Sequence, residues 1–281
     1  MKETKTEQLE AIMDELTDQD MALAFSGGVD SSLLLKMAAD RAAKKGTKVW
    51  AVTFNSRLHP SCDLENARKV AGELGGIHVI LEIDELEMEE IRSNPVNRCY
   101  LCKRNLFRTL MAFAKEKGVE VLAEGTNEDD LHVYRPGIQA VRELGIRSPL
   151  AEAGLTKEEV RRLAAACGIS AASRPSTPCM ATRLPYGARL DYEILKKIEA
   201  GEEILRRMIG GNVRLRLHGQ VVRIETDPER FSLALEKREE VVRQLKELGF
   251  VYITLDLEGF RSGSMDVGLE SRGESEVIRQ I

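Results

Sequence analysis

The 281-residue chain has no uninterrupted apolar run of the ~20 residues that a bilayer-spanning helix needs. Its opening stretch, MKETKTEQLEAIMDEL, is charged and amphipathic rather than signal-like. A solvated first helix and a cytoplasmic protein are therefore expected. Positive charge is not in excess either: 41 Lys and Arg stand against 46 Asp and Glu, a net charge of −5. That balance excludes a general attraction to nucleic acid and leaves room only for a local basic patch. Cysteine is sparse, with Cys62, Cys99, Cys102, Cys167 and Cys179 as the full set. In a reducing compartment such thiols serve ligation, catalysis or plain burial. There is no internal repeat and no low-complexity tract.

What is present is alternation. The length suffices for one large domain or two modest ones. Apolar, β-branched runs at 21–25, 49–54, 78–83 and 119–123 read as strands, and 32–44, 62–74 and 106–117 between them as helices. Strand–helix–strand order implies an α/β fold, a parallel sheet with helices on both faces. The single tryptophan, Trp50, is expected as core within a strand. Cys62 and Cys167 fall in helix-like segments and read as buried small apolar residues. A helix over 157–166 follows Thr156, an N-cap with Glu159 three positions on.

The character changes at SRPSTPCMATRLPYG, residues 173–187, a proline-framed loop and domain junction. The division expected is 1–186 and 187–281. Beyond it a helix at 191–209, strands NVRLRLH and VVRIET, a helix from about 228 to 248 and a strand FVYITLDLEG make a smaller α+β module with an antiparallel sheet.

The chemistry begins at SGGVDSS, residues 26–32, after the first strand and before a helix. Gly27 and Gly28 allow backbone N–H groups to approach oxygen ligands closely, and the helix N-terminus adds partial positive charge. Ser26, Ser31 and Ser32 can donate hydroxyl hydrogen bonds. Asp30 can cap the helix or help hold a divalent cation. The lysine of a Walker loop is missing, and G-x-G-x-x-G is not matched. The string resembles the PP-loop of the ATP pyrophosphatase superfamily. That resemblance implies that ATP is cleaved between its α- and β-phosphates, with Mg²⁺ neutralising the pyrophosphate. A second stretch, AEGTNEDDLHVYRPG, follows the fourth strand at the edge where nucleotides bind in such sheets. Gly125, Thr126 and Asn127 are candidates to face ATP, Asp129 and Asp130 to contact metal or substrate, and Glu128 to be solvated.

NRCYLCKRN places Cys99 and Cys102 in a C-x-x-C pair, which by itself is open between zinc, iron–sulfur and redox chemistry. No second pair and no neighbouring His pair completes a structural zinc site. Cys179 lies in STPCMATR, where Thr177 and Arg183 can favour its thiolate. Three cysteines can hold a 4Fe–4S cube with one iron open.

Together SGGVDSS, RCYLCK, GTNEDDL with YRPG, PCMATRLPYG and GFRSGSM resemble the LarE family of pyridinium-3,5-bisthiocarboxylic acid mononucleotide synthases, which serve the nickel-pincer cofactor of lactate racemase. The resemblance spans nearly the whole chain. It implies adenylylation of a substrate carboxylate, then attack by sulfur to give a thiocarboxylate. Two versions exist: a single cysteine at the Cys179 position surrenders its sulfur and becomes dehydroalanine, or three cysteines hold a 4Fe–4S cluster carrying an extra sulfide. Cys99, Cys102 and Cys179 together favour the cluster version. Thr182 stands where the resemblance expects Ser and keeps the hydroxyl. A homo-oligomer is also expected, a hexamer among the candidate assemblies.

A nucleotide monophosphate with two carboxylates calls for guanidinium forks. Arg214 and Arg216 alternate with His218 on one strand face, Arg261 is a further candidate, and Glu225 can orient an arginine. Two competing readings are a PP-loop tRNA thiolation enzyme, against which the acidic charge and the lack of an RNA-binding appendage count, and a non-enzymatic metal protein, which leaves SGGVDSS unused.

Overall fold

The computed structural model describes residues 4–133, 136–173, 178–261 and 263–265. The chain divides into two compact units, Met1–Ile91 with Val96–Thr177, and Arg92–Pro95 with Pro178–Ile281.

In the first unit, β1 (Met21–Ala24), β2 (Val49–Ser56), β3 (Ile77–Ile83) and β4 (Val121–Ala123) form a parallel sheet in the order β3-β2-β1-β4. The helices that accompany it in the chain are α1 (Lys5–Leu16), α2 (Val29–Lys45), α3 (Ser61–Leu74), α4 (Glu89–Arg92, whose last residue is counted with the second unit), α5 (Arg98–Lys117), α6 (Pro136–Glu143), α7 (Pro149–Glu152) and α8 (Lys157–Ala166). Side chains of a strand alternate between faces, and β1 uses both. Met21 and Leu23 join Leu9 and Met13 of α1, Leu34 of α2, Ala67 of α3 and Val160 of α8 in one core. Ala22 points to the other face, against Phe107 and Leu110 of α5 and Val141 of α6. A sheet buried on both faces reads in sequence as near-continuous apolar runs. Trp50 packs on the α5 side, edge-on to Phe113 with ring centroids 5.6 Å apart.

Several expectations need correction here. The first helix is solvated on one face only, since Leu9, Met13 and Leu16 are buried; each such side chain contributes roughly 1.5–3 kcal/mol. Cys62 and Cys167 are exposed, not buried. The inward faces of their helices are filled by Ala67 and Val70 and by Val160 and Ala164. Helix α5 starts at Arg98 rather than Leu106. Its first turns lack apolar periodicity, and polar contacts hold them instead: Tyr100 Oη donates to Glu143 at 2.7 Å and Arg104 stacks over the Tyr100 ring.

In the second unit, α9 (Tyr192–Ile209) starts under an Asp191 cap and precedes the hairpin of β5 (Val213–His218) and β6 (Val221–Thr226). Then come α10 (Phe231–Glu236), α11 (Arg238–Glu247) and β7 (Tyr252–Leu255). The single helix expected over 228–248 is broken at Lys237, which ends α10 and opens α11. The sheet is mixed rather than antiparallel: β5 and β6 are antiparallel, but β7 runs parallel to β6. The intervening helices carry the chain back before β7, which is the crossover a parallel pair requires.

Candidate active site

Because β1 pairs with β4 in parallel, their carboxyl ends release two loops side by side. The first is SGGVDSS. Gly27 has φ +70°, and a Cβ there would lie 2.8 Å from the Ala67 Cα. Gly28 is the N-cap of α2, and no side chain caps that helix. The first-turn N–H groups therefore have no intrahelical partner. Ser31 Oγ donates to the Gly28 carbonyl at 3.2 Å and accepts from Ser26 N–H at 3.3 Å, shaping the turn. Ser32 Oγ is fully buried in the same helical turn with no hydrogen-bond partner among the described residues. An uncapped helix start, a glycine cradle with no room for a side chain and an orphan hydroxyl fit the oxygens of a polyphosphate.

The second loop closes on the first. A Cβ on Gly125 would meet Asp30 Cβ and Ser31 N at 3.1 Å, so only glycine lets the strands' two turns touch. Thr126 and Asn127 are buried. Asn127 caps the 3₁₀ turn Glu128–His132 and donates through Nδ2 to Asp30 Oδ1 at 3.2 Å. The other oxygen of Asp30 takes the Lys157 ammonium from the start of α8. Asp129 accepts the Lys157 backbone N–H at 2.8 Å, and Asp130 completes the Asn127 capping box. Asp129 serves the α8 cap, and Glu128 pairs with His132 at 2.8 Å. Tyr134 and Arg135 of the YRPG stretch lie outside the described residues.

Cys99 and Cys102 occupy the first turns of α5, three positions apart and so on one face. The buried Arg98 guanidinium approaches Cys99 Sγ at 3.7 Å. Next to them, Lys103 reaches Glu124 at 3.4 Å, at the carboxyl end of β4. Glu124 is buried; burial pushes its pKa up, but Lys103 and hydrogen bonds from Thr126 N–H and Ser148 Oγ outweigh this and hold it below the ordinary carboxylate range.

In the second unit, Cys179 precedes the 3₁₀ turn Met180–Arg183. Arg183 is 1% exposed and forms a two-pronged pair with Glu202 of α9 at 2.8 and 3.0 Å. Its remaining N–H groups hold the Pro178 and Cys179 carbonyls and Thr182 Oγ1. Arg216 donates to the Thr182 carbonyl at 2.8 Å and to Glu225 at 3.1 Å. Glu225, fully buried, also accepts from Arg223 at 2.8 Å and Ser264 at 2.6 Å. Arg214 lies over the Phe260 ring at 5.2 Å. Burial first, then the neighbouring Arg183, lowers its pKa from the usual arginine value. Arg261 pairs with Asp256 at 3.3 Å and Glu258 at 2.5 Å. Within this unit, Arg183 and Arg216 thus converge on the backbone of the Cys179 segment. Thr177 lies outside the described residues. Among the described residues, no group of three or more His, Cys, Asp or Glu side chains is arranged to hold a metal ion, and no helix is long and apolar enough to cross a membrane.

A family model described as a PP-loop domain matches residues 1–133. A pyridinium-3,5-bisthiocarboxylic acid mononucleotide synthase of Lactiplantibacillus plantarum is 36% identical over 263 residues, which is 94% of each chain. This chain belongs to that synthase family. An uncharacterised protein of Synechocystis is 39% identical over 269 residues, covering 95% of this chain and 98% of its own. A tRNA-specific 2-thiouridylase of Rickettsia africae shares 26% identity over 196 residues, 56% of this chain and 52% of the relative. The PP-loop match takes in the glycine turn, Gly125 to Asp130, and the Cys99–Cys102 pair. Cys179, Arg214, Arg216, Glu225 and Arg261 fall beyond it.

Four residues of these surroundings escape a reading of the sequence for function. Glu124 carries a signal, an acid directly at the end of a buried strand. Lys103 and Glu202 sit among ordinary helix charges. Lys157 is far from SGGVDSS in sequence and meets Asp30 only through the fold.

Proposed function

We propose that this ATP-dependent sulfurtransferase acts on the carboxylates of pyridinium-3,5-biscarboxylic acid mononucleotide, supplying the nickel-pincer cofactor of lactate racemase. The observation that carries the reading is the uncapped glycine turn with Asp30 and Asn127 at its mouth, in a chain similar along 94% of its length to such a synthase. Residues 1–186 act as the ATP domain and 187–281 as the domain for substrate and assembly. The turn 26–32 with Gly125, Thr126 and Asn127 holds ATP, and Asp30 and Asp130 hold Mg²⁺. A substrate carboxylate oxygen attacks the α-phosphorus; the α–β P–O bond breaks and pyrophosphate leaves with the electron pair. Sulfur then attacks the acyl carbon and AMP leaves. The guanidinium groups of Arg214, Arg216 and Arg261 bind phosphate and carboxylate, with Glu225 orienting Arg216.

For the sulfur we infer the three-cysteine version, with Cys99, Cys102 and Cys179 as ligands of a 4Fe–4S cluster. When bound, that cluster supplies an open iron position for the transferred sulfide. The support is the presence of all three thiols and the placement of Cys99 and Cys102 on one helix face. The working form is a cytoplasmic homo-oligomer without nucleic acid.

Anaerobic reaction with ATP, the dicarboxylate nucleotide and added inorganic sulfide, which restores the transferred sulfur after each turnover, followed by intact-protein mass, tests this. Several thiocarboxylate products per chain with unchanged protein mass are expected. A mass loss of one H₂S at Cys179 with no iron in anaerobic protein would establish the sacrificial version. The partial likeness to a tRNA thiouridylase gives the second reading: thiolated tRNA with no reaction of the small nucleotide would establish it instead.

A further inference from the structure

We propose that Lys157 is the cation that replaces the missing Walker lysine, and that it trades places with Mg²⁺: it neutralises Asp30 in the empty turn and moves onto the β,γ-phosphates when the metal takes Asp30. The inference rests on the nucleotide reading of the turn. A pyrophosphate leaving group develops charge that backbone N–H groups alone neutralise poorly, and SGGVDSS contains no basic residue. Among the described residues, the cation paired with Asp30 is Lys157, whose ammonium sits on Oδ2 while Asn127 holds Oδ1.

The lysine is well placed for an exchange. Its backbone is anchored: Asp129 accepts its N–H at 2.8 Å, and the Thr156–Glu159 capping box fixes the start of α8. Lys5 adds an ion pair to Glu159 at 2.9 Å. Only the four-carbon stem is left to move. The pair is partly exposed, 35% for the Lys157 side chain and 19% for Asp30, so separating it costs little compared with a buried pair. A lysine is also the right carrier, a compact charge with three rotatable donors that suits a phosphate edge. Lysine and metal want the same carboxylate, so each weakens the other there until phosphate gives the lysine a second partner.

Two measurements on Lys157→Met separate this role from a structural one. Mn²⁺ binding without nucleotide, followed by electron paramagnetic resonance, should strengthen roughly two- to fivefold, because the competing ammonium is gone. Binding of Mg²⁺ with the α,β-methylene analogue of ATP, followed by calorimetry, should weaken roughly ten- to hundredfold, the loss of one charge-assisted contact. Lys157→Arg should keep most of the nucleotide affinity. Unchanged Mn²⁺ affinity, or unchanged analogue affinity, in Lys157→Met overturns the exchange while leaving the nucleotide reading standing, provided that the wild-type protein binds the analogue. If the wild type does not bind it, the nucleotide reading and this inference fall together. A mere helix-capping defect would weaken both affinities, an outcome that also rejects the proposal.

Discussion

Glu202→Gln should be the most damaging single-atom-class change in the second unit. The carboxylate is 4% exposed and the guanidinium of Arg183 1%. Glu202 receives both prongs of Arg183, and its Oε1 also accepts the Leu215 N–H at 3.0 Å. An amide keeps one carbonyl oxygen, enough for Leu215 and one prong. It turns an NH₂ toward the other prong and leaves a buried guanidinium without its counter-charge. Breaking a buried pair in this way costs about 3–5 kcal/mol. For a unit of this size that lowers the melting temperature by roughly 10 °C or more. Because the same guanidinium holds the Pro178 and Cys179 carbonyls, sulfur transfer should fall with stability. Glu203→Gln is the control, one position along the helix in a surface pair with Arg207, where the loss should stay below about 1 kcal/mol. Calorimetric melts of both variants decide the matter. Equal melting temperatures would refute the idea that the buried fork holds the cysteine turn.

Gly27→Ala should abolish nucleotide binding and cost roughly 1–2 kcal/mol or more, since φ is positive and the new Cβ meets backbone at Ala67; wild-type affinity for the ATP analogue would contradict this. Lys103→Met should raise the Glu124 pKa. That carboxyl is held below its ordinary value, so its stabilisation is full above the unfolded pKa and is lost as pH falls through the folded one. The variant's acid-unfolding midpoint should move to higher pH, and an unmoved midpoint would show that Lys103 is not the partner that matters. Arg214→Ala and Arg261→Ala should each weaken binding of the dicarboxylate nucleotide by roughly tenfold or more and leave ATP affinity intact.

The parallel sheet was legible because β1 and β2 are buried on both faces and so announce themselves as apolar runs. The start of α8 was legible from Thr156 and Glu159, a local device complete within four residues. Helix α5 was not, at its start, because Tyr100 and Lys103 are held by Glu143 and Glu124, distant in sequence, rather than by an apolar stripe. The direction of β7 was hidden for a similar reason: strand pairing is a long-range choice that a short edge strand of four residues does not encode. In the candidate nucleotide site of the first unit, the glycine turn and the residues after β4 could be named because backbone conformation and small side chains leave a pattern. The pairings Lys157–Asp30, Lys103–Glu124 and Arg183–Glu202 join common charged residues across the fold, and composition gives no sign of them.

The central claim is that a substrate carboxylate oxygen displaces pyrophosphate from ATP. Oxygen-18 in the carboxylates of the pyridinium dicarboxylate nucleotide tests it directly, with mass spectrometry of the nucleotide products after reaction with unlabelled ATP. The expected result is AMP carrying one oxygen-18 atom, with one pyrophosphate per AMP and sulfur in place of the lost oxygen in the product. ADP with inorganic phosphate, or AMP free of the label, would contradict it.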